Sequence, residues 1–550
     1  VIPDHKSFAN VLNDYFVAVS SKASPPDTAL SSSTYTTLVP VLNLSPTTPA
    51  WCEETLSTFK PRCATGLDMI PSSTLIAAKS VICYPLCSTL NSSISSSVFP
   101  QAWKCASIMP LHKGGDRATP SNYRPISLLP ACSKLLERCV NEQLSSHLHS
   151  NNLVFPLQSG FRPQHSTQTL LLHCTDSWYK ALDRKQFVGV VFLDISKAFD
   201  SVNHDLLFAK LSLLGLSSST VSWFRSYLSN RSQVTRVGDS FSSVGYPSSG
   251  VPQGSVLGPT LFSAFINDLP KALPPDSTVL FADDTSIYIT SDNLPSLNSS
   301  LQLCLNLANI WMLKNGLKLN ALKSKCMLIH SSRKKVDGNL ELFIDGLPIE
   351  QVRVMKFLGV LLNDTLTWGD HIAHISTKVS RSLNLLRRLS WFLPKSLLLL
   401  YFKSYVIPTF DYCDVVWSNC TTSEAKRLDT LFNYGCRLVL HKPRLYSASS
   451  ARQELQFTTL SDRRKFHMCQ TMYKCLNSLS PPYLTCLFDT PSTHYTRAST
   501  TKQLNLPVTR SSFGQKAFSF AGALAWRSLP SHVRVSKDFS TFCKLYNLMS

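Results

Sequence analysis

The sequence predicts a mixed α/β (α+β) fold with more than one domain. Between residues 94 and 362, short apolar runs of strand length alternate with stretches of helical periodicity. From residue 363 onward the periodicity becomes helical. Hydrophobic residues make up 44% and charged residues 16%, which is typical of a globular protein, and 550 residues exceed what one hydrophobic core usually holds.

Four segments follow from the changes in pattern along the chain. The first begins with an amphipathic stretch from Phe8 to Val19 and continues into Ser24 to Ala50, a Ser/Thr/Pro-rich stretch typical of a linker. The last ends in a compact-looking stretch from Phe513 to Tyr546. The predicted segments are an N-terminal extension (1–93), a mixed α/β domain (94–362), a helical region (363–480) and a C-terminal segment (481–550).

One amphipathic helix stands out in the helical region. Its apolar residues recur at steps of three and four, as on the buried face of a helix. Its cations lie on another face, where a solvated charged surface is the simplest interpretation. The apolar residues are Ile372, Ile375, Val379, Leu383 and Leu386, and the cations are Lys378, Arg381 and Arg388.

The net charge points to a polyanionic partner. Lys and Arg number 54 against 34 Asp and Glu, which gives a net charge of +20. Such a surplus suits either nucleic acid or an anionic membrane surface, and it also suits a basic protein kept soluble by its charge. No apolar run approaches the ~18 residues that a membrane span needs, so no membrane partner is predicted.

The cysteines predict neither a zinc site nor a disulfide framework. The chain has 17 of them, scattered, and the closest pair, Cys83 and Cys87, lacks C-x-x-C spacing. We therefore expect reduced thiols in an intracellular protein. The chain starts at Val1 and its first methionine is Met69, so we expect a piece of a longer reading frame.

The first candidate catalytic residue follows an apolar run. The stretch from Phe187 to Leu193 is rich in β-formers and suits a buried strand, and Asp194 comes directly after it. A carboxylate at the end of a buried strand is costly unless it is paired or binds a cation. The pattern therefore indicates a cation site at this strand end.

A second pair of carboxylates lies between two further apolar runs. Asp283 and Asp284 separate Val279–Ala282 from Thr285–Ile289, in a pattern of strand, tight turn and strand. Three carboxylates brought together repel one another, and a pair of divalent cations relieves that repulsion. Two metals about 3.5–4 Å apart can activate a 3′-hydroxyl and stabilise a leaving pyrophosphate, and all-oxygen ligation favours Mg²⁺.

These motifs resemble those of reverse transcriptases, and the surrounding sequence is similar to the non-LTR (long interspersed element) retrotransposon branch. The resemblance is strong over about 94–362 and looser beyond. Its segments, in the order typical of the family, are Asn122-Tyr-Arg-Pro-Ile-Ser-Leu-Leu129, Gln158-Ser-Gly-Phe-Arg162, Leu193-Asp-Ile-Ser-Lys-Ala-Phe-Asp200, Ser249-Gly-Val-Pro-Gln-Gly-Ser-Val-Leu-Gly-Pro259, Phe281-Ala-Asp-Asp284, Gly316-Leu-Lys-Leu-Asn-Ala-Leu-Lys323, Lys356-Phe-Leu-Gly-Val360, Tyr405-Val-Ile-Pro408 and Ala525-Trp-Arg-Ser-Leu-Pro530.

The resemblance implies a right-hand polymerase with fingers, palm and helical thumb, between N- and C-terminal extensions. Its implied function is RNA-directed DNA polymerisation with two Mg²⁺ ions, or Mn²⁺ as a substitute, by target-primed copying of retrotransposon RNA. The implied partners are an RNA template, a DNA primer or target DNA, and deoxynucleoside triphosphates. An upstream endonuclease is expected in the full-length protein. The implied location is a cytoplasmic ribonucleoprotein and, at the site of action, the nucleus.

The resemblance also assigns roles around the incoming nucleotide. Asp194, Asp283 and Asp284 are the metal-binding triad. Phe199, five residues after Asp194, is the aromatic steric gate against a 2′-hydroxyl, although a core Phe would occupy the same position equally well. Gln253 and Gly254 belong to the loop that lines the nucleotide. Lys113 and Arg124 are the basic residues that contact the triphosphate, and each could instead be a surface cation.

Further assignments concern proton transfer, template and primer. Lys323 matches the lysine that protonates the leaving pyrophosphate, but Lys318 and Lys325 are close enough in sequence to compete for that role. Arg162 either contacts the template or stabilises the fingers. Phe357, Leu358 and Gly359 resemble the primer grip, a hairpin that holds the primer 3′ end.

Two other interpretations remain open at this point. A related polymerase, such as a group II intron enzyme, shares the carboxylates, but the Asn122–Leu129 segment argues against it. A decayed or domesticated copy that serves only as an RNA-binding protein belongs to a different class. The intact aspartates argue against decay. Primer extension on an RNA template with Mg²⁺ distinguishes an active polymerase from such an RNA-binding copy.

Overall fold

The structure, a computed structural model, describes residues 4–21, 39–334, 336–488 and 502–549. Among these residues, four α-helices precede the first strand, strands and helices are interspersed from residue 105 to residue 363, and helices follow, which confirms the predicted α/β class. The predicted linker lies partly in 22–38, outside the described residues. Its remainder has no regular secondary structure apart from a bridge at Leu42, up to the first turn of a helix that begins at Pro49.

The strands are short, and several are two-residue arms of tight hairpins. In chain order they are β1 (Cys105–His112), β2 (Tyr123–Leu128), β3 (Phe187–Leu193), β4 (Ser232–Val237), β5 (Ser240–Phe241), β6 (Thr278–Phe281), β7 (Asp284–Ser291), β8 (Lys325–Ile329), β9 (Phe343–Ile344), β10 (Leu347–Pro348), β11 (Glu350–Gln351), β12 (Val354–Phe357) and β13 (Val360–Asn363).

Several helices begin at a Ser, Thr or Asn whose side chain accepts a backbone N–H of the first turn, as at Ser166 and Thr421. A π-helical turn, Phe402–Val406, joins two of them. The α-helices are α1 (His5–Ser21), α2 (Pro49–Ser57), α3 (Ser72–Ala77), α4 (Lys79–Ser96), α5 (Ala131–Ser150), α6 (Thr167–Asp183), α7 (His204–Leu213), α8 (Ser218–Leu228), α9 (Gly258–Ile266), α10 (Leu294–Lys314), α11 (Gly369–Leu389), α12 (Lys395–Tyr401), α13 (Ile407–Asp411), α14 (Thr422–Val439), α15 (Ala448–Glu454), α16 (Leu460–Leu476), α17 (Pro482–Thr485), α18 (Ser512–Lys516), α19 (Phe518–Arg527), α20 (Ser531–Arg534) and α21 (Phe539–Met549).

The first of two compact units comprises residues 1–161, 193–285 and 304–320. Its four-stranded sheet has the order β2-β1-β4-β5, in which β1 pairs antiparallel with β2 and parallel with β4. The predicted amphipathic start is α1, and its Leu12 and Phe16 are buried in one cluster with Ala106 and Ile108 of β1. The N-terminal helix is therefore part of the core of this unit.

The second unit comprises residues 162–192, 286–303 and 321–550. Within it β3 pairs antiparallel with β8, and β8 pairs parallel with β11. Every residue of β3 is buried, as its apolar sequence predicts. Gly189 permits close packing of α10 on this strand, since a Cβ there would lie 2.4 Å from Leu301 Cδ1. The prediction of a buried strand over Phe187–Leu193 is confirmed.

The helical region after residue 363 is confirmed by α11 to α21. The predicted amphipathic helix is α11, and its five apolar residues are all buried, whereas Lys378, Arg381 and Arg388 are exposed. The predicted compact end corresponds to α18 to α21. The three boundaries between the four segments stay predictions, because the two compact units divide the chain at other residues.

Two further expectations concern thiols and membranes. All 17 cysteines are free thiols, so no disulfide constrains the fold. No helix within the described ranges has both the length and the apolar character that a membrane span requires.

Candidate active site

Asp194 lies at the point where β3 ends and the chain turns. Its backbone carbonyl accepts the N–H of Asn320 at 2.9 Å, and the Ser196 N–H donates to the Lys318 carbonyl at 2.9 Å. Ile195 and Leu319 form an antiparallel bridge between these two bonds. A neighbouring segment of the first unit thus fixes the backbone on both sides of Asp194.

Asp283 and Asp284 lie on the hairpin between β6 and β7. The two turn residues are Ala282 and Asp283, and Asp284 is already the first residue of β7. The sequence predicted both aspartates in the turn, so the hairpin is shifted by one residue. Ala282 has φ 58°, a left-handed conformation that costs a non-glycine residue ~1 kcal/mol or more. The turn therefore needs support from its surroundings.

That support comes from two residues for which the sequence indicated no role. The Gln158 side chain accepts the Ala282 N–H through Oε1 at 3.0 Å, and it donates from Nε2 to the Ala282 carbonyl at 3.5 Å. Gly160 permits the close approach, because a Cβ there would lie 2.3 Å from the Ala282 nitrogen. Both belong to the Gln158–Arg162 motif. Their place in that motif was the only indication in the sequence that they contribute to this site.

The electrostatics at Asp284 reflect the charges of the two other carboxylates. The pKa of Asp284 is raised to about 6, first by partial desolvation and then by the charges of Asp283 and Asp194. Arg124 opposes the shift. Oxygen ligands that repel one another in this way fit a divalent cation, because the ion's charge removes the repulsion.

The loop after β5 brings Gln253 to a further carboxylate, the half-buried Asp200. Gln253 Nε2 donates to Asp200 Oδ1 at 2.8 Å, and the Gln253 carbonyl accepts the Ser127 N–H at 2.7 Å. Gly254 has φ 121°, and a Cβ there would lie 2.5 Å from the Ser127 carbonyl oxygen. Gly254 thus allows a close approach to the backbone of β2, and its role in lining the nucleotide stays a prediction.

Asp200 ends the motif that begins at Leu193, and the sequence indicated no role for it. Burial raises its pKa, while the Gln253 hydrogen bond and the charges of Lys197 and Lys113 oppose that rise. Lys113 is exposed at the end of β1, as is Arg124 on β2. The structure therefore sets Lys113 near Asp200 and Arg124 near Asp284, so the two cations lie beside carboxylates of the first unit.

A fully buried glutamate holds the start of α9, next to the Gln253 loop. Glu137 is 0% exposed, and its Oε2 accepts the N–H groups of Val256 and Leu257 at 2.7 and 3.3 Å. Its other oxygen accepts the Ser133 hydroxyl. Burial raises its pKa, against the charge of Arg231 and these hydrogen bonds. An isolated Glu on a helix offers no sequence signal for such a role.

Phe199 is half-buried in a short 3₁₀ turn after Asp194. Its ring stacks on Phe262, with centroids 4.6 Å apart and planes 22° apart. Its carbonyl accepts the Val251 N–H at 2.9 Å. Because one side of the ring packs on a buried side chain, the position suits both a rigid gate and a core residue, and both interpretations stay open.

The three candidate lysines for proton transfer differ in their surroundings. Lys318 is exposed on the segment bound to Asp194, and Lys323 is exposed in the turn that follows. Lys325 forms an ion pair with Glu350 at 2.5 Å. This ion pair holds the Lys325 ammonium against Glu350, so a role of Lys325 in proton transfer would require the ion pair to break.

The predicted primer grip is the hairpin between β12 and β13. Leu358 and Gly359 form its two-residue turn with φ 46° and 85°, and Tyr412 donates its hydroxyl to the Leu358 carbonyl at 2.8 Å. Phe357 is only 5% exposed and packs on Phe192, with ring centroids 5.2 Å apart. The turn is thus the accessible part of this segment, and Phe357 anchors it.

Arg162, the last residue of the Gln158–Arg162 motif, is half-buried. Desolvation lowers the pKa of its guanidinium, and the nearby Tyr483 opposes that shift. These surroundings suit a residue that stabilises its own neighbourhood, and a template contact stays a prediction.

A separate acidic group lies in the second unit. Asp411, Asp414 and His467 each offer a ligand atom within 4.8 Å of the others, the only such set found among the described His, Cys, Asp and Glu side chains. Arg463 binds Asp411 through two bonds of 2.5 and 2.6 Å, and His467 Nδ1 lies 2.6 Å from Asp414. Arg463 neutralises Asp411 and His467 is hydrogen-bonded to Asp414, so we interpret the group as a structural polar network.

Comparison with known proteins gives one family and several relatives. Residues 111–362 match the model described as "Reverse transcriptase (RNA-dependent DNA polymerase)". The chain is 30% identical over 418 residues to the Drosophila melanogaster protein named "Probable RNA-directed DNA polymerase from transposon BS", a match that spans 73% of the chain and 45% of that protein. It is 29% identical to "RNA-directed DNA polymerase from mobile element jockey" of the same organism, over 73% and 44%.

A more distant relative extends the comparison to another group of mobile elements. The chain is 29% identical over 256 residues to the Popillia japonica "Retrovirus-related Pol polyprotein from type-1 retrotransposable element R2", over 42% of the chain and 33% of that protein. The chain thus spans less than half the length of these relatives. The mixed α/β architecture and the matched domain agree with the predicted right-hand polymerase fold.

Proposed function

Because the chain carries a reverse transcriptase domain similar to those of non-LTR retrotransposons, we propose that it copies RNA into DNA by two-metal-ion nucleotidyl transfer. The observation that carries this proposal is that the charges of Asp283 and Asp194 raise the pKa of Asp284, so the three carboxylates lie within electrostatic reach of one site. A reverse transcriptase domain implies dependence on a divalent metal, and we propose Mg²⁺ as that metal, bound as two ions.

We assign the following roles to the residues of the site. Asp194, Asp283 and Asp284 hold the ions, which when bound activate the primer 3′-hydroxyl and stabilise the pyrophosphate. Lys113 and Arg124 attract the triphosphate. Gln253 orients the Asp200 carboxylate by its hydrogen bond. Lys323 or Lys318 protonates the leaving group. Each role belongs to the proposal.

The deciding experiment is primer extension on an RNA template. We expect deoxynucleotide incorporation with Mg²⁺ and none after chelation by EDTA. A control template of DNA separates RNA-directed copying from general polymerisation. A folded protein that binds the primer–template but extends neither template would contradict the proposal and would favour a copy that serves only to bind RNA.

The proposal extends to the biological setting of the reaction. Target-primed copying would use a nicked DNA end as primer, and an endonuclease domain outside this chain would make the nick. The template would be the element's own RNA in a cytoplasmic ribonucleoprotein, and the copying would take place in the nucleus. A synthetic nicked duplex annealed to RNA tests the first step, since extension should begin from the nick.

The net charge of +20 leads to a prediction about primer–template binding. Phosphate contacts release counterions, so affinity should fall roughly 10³–10⁵-fold between 50 and 200 mM salt if about 6–10 phosphates are contacted. Fluorescence anisotropy with a labelled primer–template measures it. A flat response to salt would mean that the charge lies away from the nucleic acid.

A further prediction concerns choice of sugar and rests on Phe199. Phe199→Ala should remove the ring that meets a 2′-hydroxyl and raise the kcat/KM ratio of ribonucleotide to deoxynucleotide by about 10–200-fold, the scale set by ~1–3 kcal/mol of lost steric discrimination. Phe262→Leu is the matched control, because it alters the ring beneath Phe199 without opening the gate. Single-nucleotide incorporation kinetics give the ratio.

The competing interpretation of Phe199 as a core residue has its own signature. In that case the alanine variant should lose ~3–5 kcal/mol of stability. Both activities would then fall together with the melting temperature. A folded Phe199→Ala protein with an unchanged ratio would contradict the gate assignment and leave the polymerase proposal intact.

A further inference from the structure

The second unit contains a cavity of about 910 Å³ that none of the roles above uses. Four separate stretches of chain line it: the end of α6 with the turn before β3, the segment after β8, the turn between β13 and α11, and the segment around α18. All four belong to the second unit. The cavity is therefore described within one compact body.

The lining of this cavity is strongly basic. None of its cations forms an ion pair with a carboxylate in the part of the chain that the structure describes. Arg184, Lys185, Arg333 and Arg510 are exposed, so their charge is available to a ligand. The lining cations are Arg184, Lys185, Arg333, Lys334, Arg510 and Lys516.

The one acidic side chain of the lining, Asp183, is hydrogen-bonded to backbone N–H groups and a hydroxyl and, among the described residues, not to a cationic side chain. Its carboxylate accepts the N–H groups of Arg510 and Ser511 at 2.6–3.1 Å, the Ser511 hydroxyl at 2.7 Å and the Gly514 N–H at 3.3 Å. Burial acts to raise its pKa, but these bonds prevail and lower it. Asp183 thus binds the C-terminal segment to the end of α6. Arg510 and Arg184 therefore line the same cavity.

Neutral donors and a ring complete the lining. Ser331, Ser332, Ser512, Thr365 and Thr367 contribute hydroxyl groups. Phe513 is half-buried, and the Lys516 ammonium lies 5.5 Å from its ring centroid. Cations, hydroxyls and an aromatic face are the groups with which proteins bind single-stranded nucleic acids, through phosphates and base stacking.

We propose that this cavity is a binding site for a single-stranded segment of nucleic acid, held mainly by its phosphates. An unpaired strand fits better than a duplex, because a lone aromatic ring can stack on a base only where that base is unpaired. No residue of the site is assigned to nucleotidyl transfer, so the proposal does not depend on polymerase activity. RNA and DNA share the phosphodiester chemistry, and the test separates them.

The test is binding of labelled single-stranded oligonucleotides, one of RNA and one of DNA, to the full chain without nucleotide or metal. The triple variant Arg184→Gln, Arg333→Gln, Arg510→Gln should bind on the order of tenfold more weakly at 0.15 M salt. The slope of log affinity against log salt should become shallower by about 2, at ~0.7 for each phosphate of a single strand that the variant no longer neutralises. The strand whose affinity falls further identifies the ligand.

A control variant that loses the same three positive charges outside the cavity tests whether net charge alone accounts for the effect. Lys426→Gln, Lys537→Gln, Lys544→Gln removes three exposed cations of the same unit outside the cavity, and it should leave affinity nearly unchanged. Replacement of the three arginines by lysine should restore the slope, because it restores the charge. Cross-links from a 4-thiouridine strand should fall in 331–334 or 510–516.

Two results would overturn the proposal. One is equal affinity of the triple variant and the control for both strands, with no cross-link to either segment. The other is an equal drop in affinity in the two triple variants, which would assign the effect to net charge alone. A melting temperature within a few degrees of the parent protein ensures that folding does not enter the comparison.

Discussion

Asp194→Asn and Asp283→Asn should each lower the rate of primer extension by roughly three orders of magnitude. Each substitution removes a charged oxygen that would hold an ion, and loss of several kcal/mol of metal-based charge stabilisation corresponds to that factor. The amide keeps the size of the side chain, so the packing around the strand end and the hairpin should be preserved. Single-turnover extension at saturating primer–template isolates the chemical step.

A matched control for these variants exists in the same unit. Asp276 is exposed, with φ 57°, in the turn that precedes β6, and Asp276→Asn makes the same chemical change away from the three carboxylates. It should extend at the parent rate. Affinity for primer–template should persist in all three variants, because basic residues elsewhere supply it. Extension near the parent rate by either active-site variant would falsify the assignment of that aspartate.

Gly160→Ala should reduce the rate of extension by about 100-fold, although residue 160 carries no functional group. Its Cβ would lie 2.3 Å from the Ala282 nitrogen, so the hairpin that carries Asp283 and Asp284 must move. Displacement of reacting groups by ~1 Å is enough for an effect of this size. Because the contact is with backbone, no side-chain rotation relieves it. The measurement is kcat at saturating nucleotide, alongside the melting temperature.

Gly346→Ala separates this steric effect from the general cost of replacing a glycine. Gly346 has φ 75°, so alanine is strained there, but a Cβ would meet nothing within 4 Å. The control should lose ~1 kcal/mol of stability and keep its activity. Gln158→Ala should weaken extension in the same direction as Gly160→Ala, because it removes the side chain bonded to Ala282. Parent-like kcat in Gly160→Ala would mean that the hairpin position does not limit the reaction.

Local patterns predicted the strand that leads to Asp194 and a helix outside the candidate site. The run Phe187–Leu193 has the composition of a buried strand, and the spacing of apolar residues along α11 matches its buried face. The turn of the β6–β7 hairpin was displaced by one residue, because sequence alone does not reveal that Ala282 adopts a left-handed conformation. Hydrogen bonds from a segment more than 120 residues earlier stabilise that conformation.

The remaining features depend on contacts between residues distant in sequence. Glu137 looks like an ordinary helix residue until its carboxylate is seen to hold the start of α9. Pairing with Glu350 distinguishes Lys325 from Lys318 and Lys323, and burial against Phe192 distinguishes Phe357 from the turn beside it. The family motifs indicated where such residues lie, but only the fold specifies which atoms they meet.

The pairing of β3 with β8 has a consequence for synthesis on the ribosome. Val188 lies opposite Ile329, so about 140 residues must be synthesised after Val188 before the partner on this edge of β3 is available. Contacts this distant form slowly, and a wholly apolar strand that waits with an open edge invites association with other chains. We therefore expect nascent chains arrested before residue 325 to bind chaperones or to aggregate, and chains that include β8 to be protected.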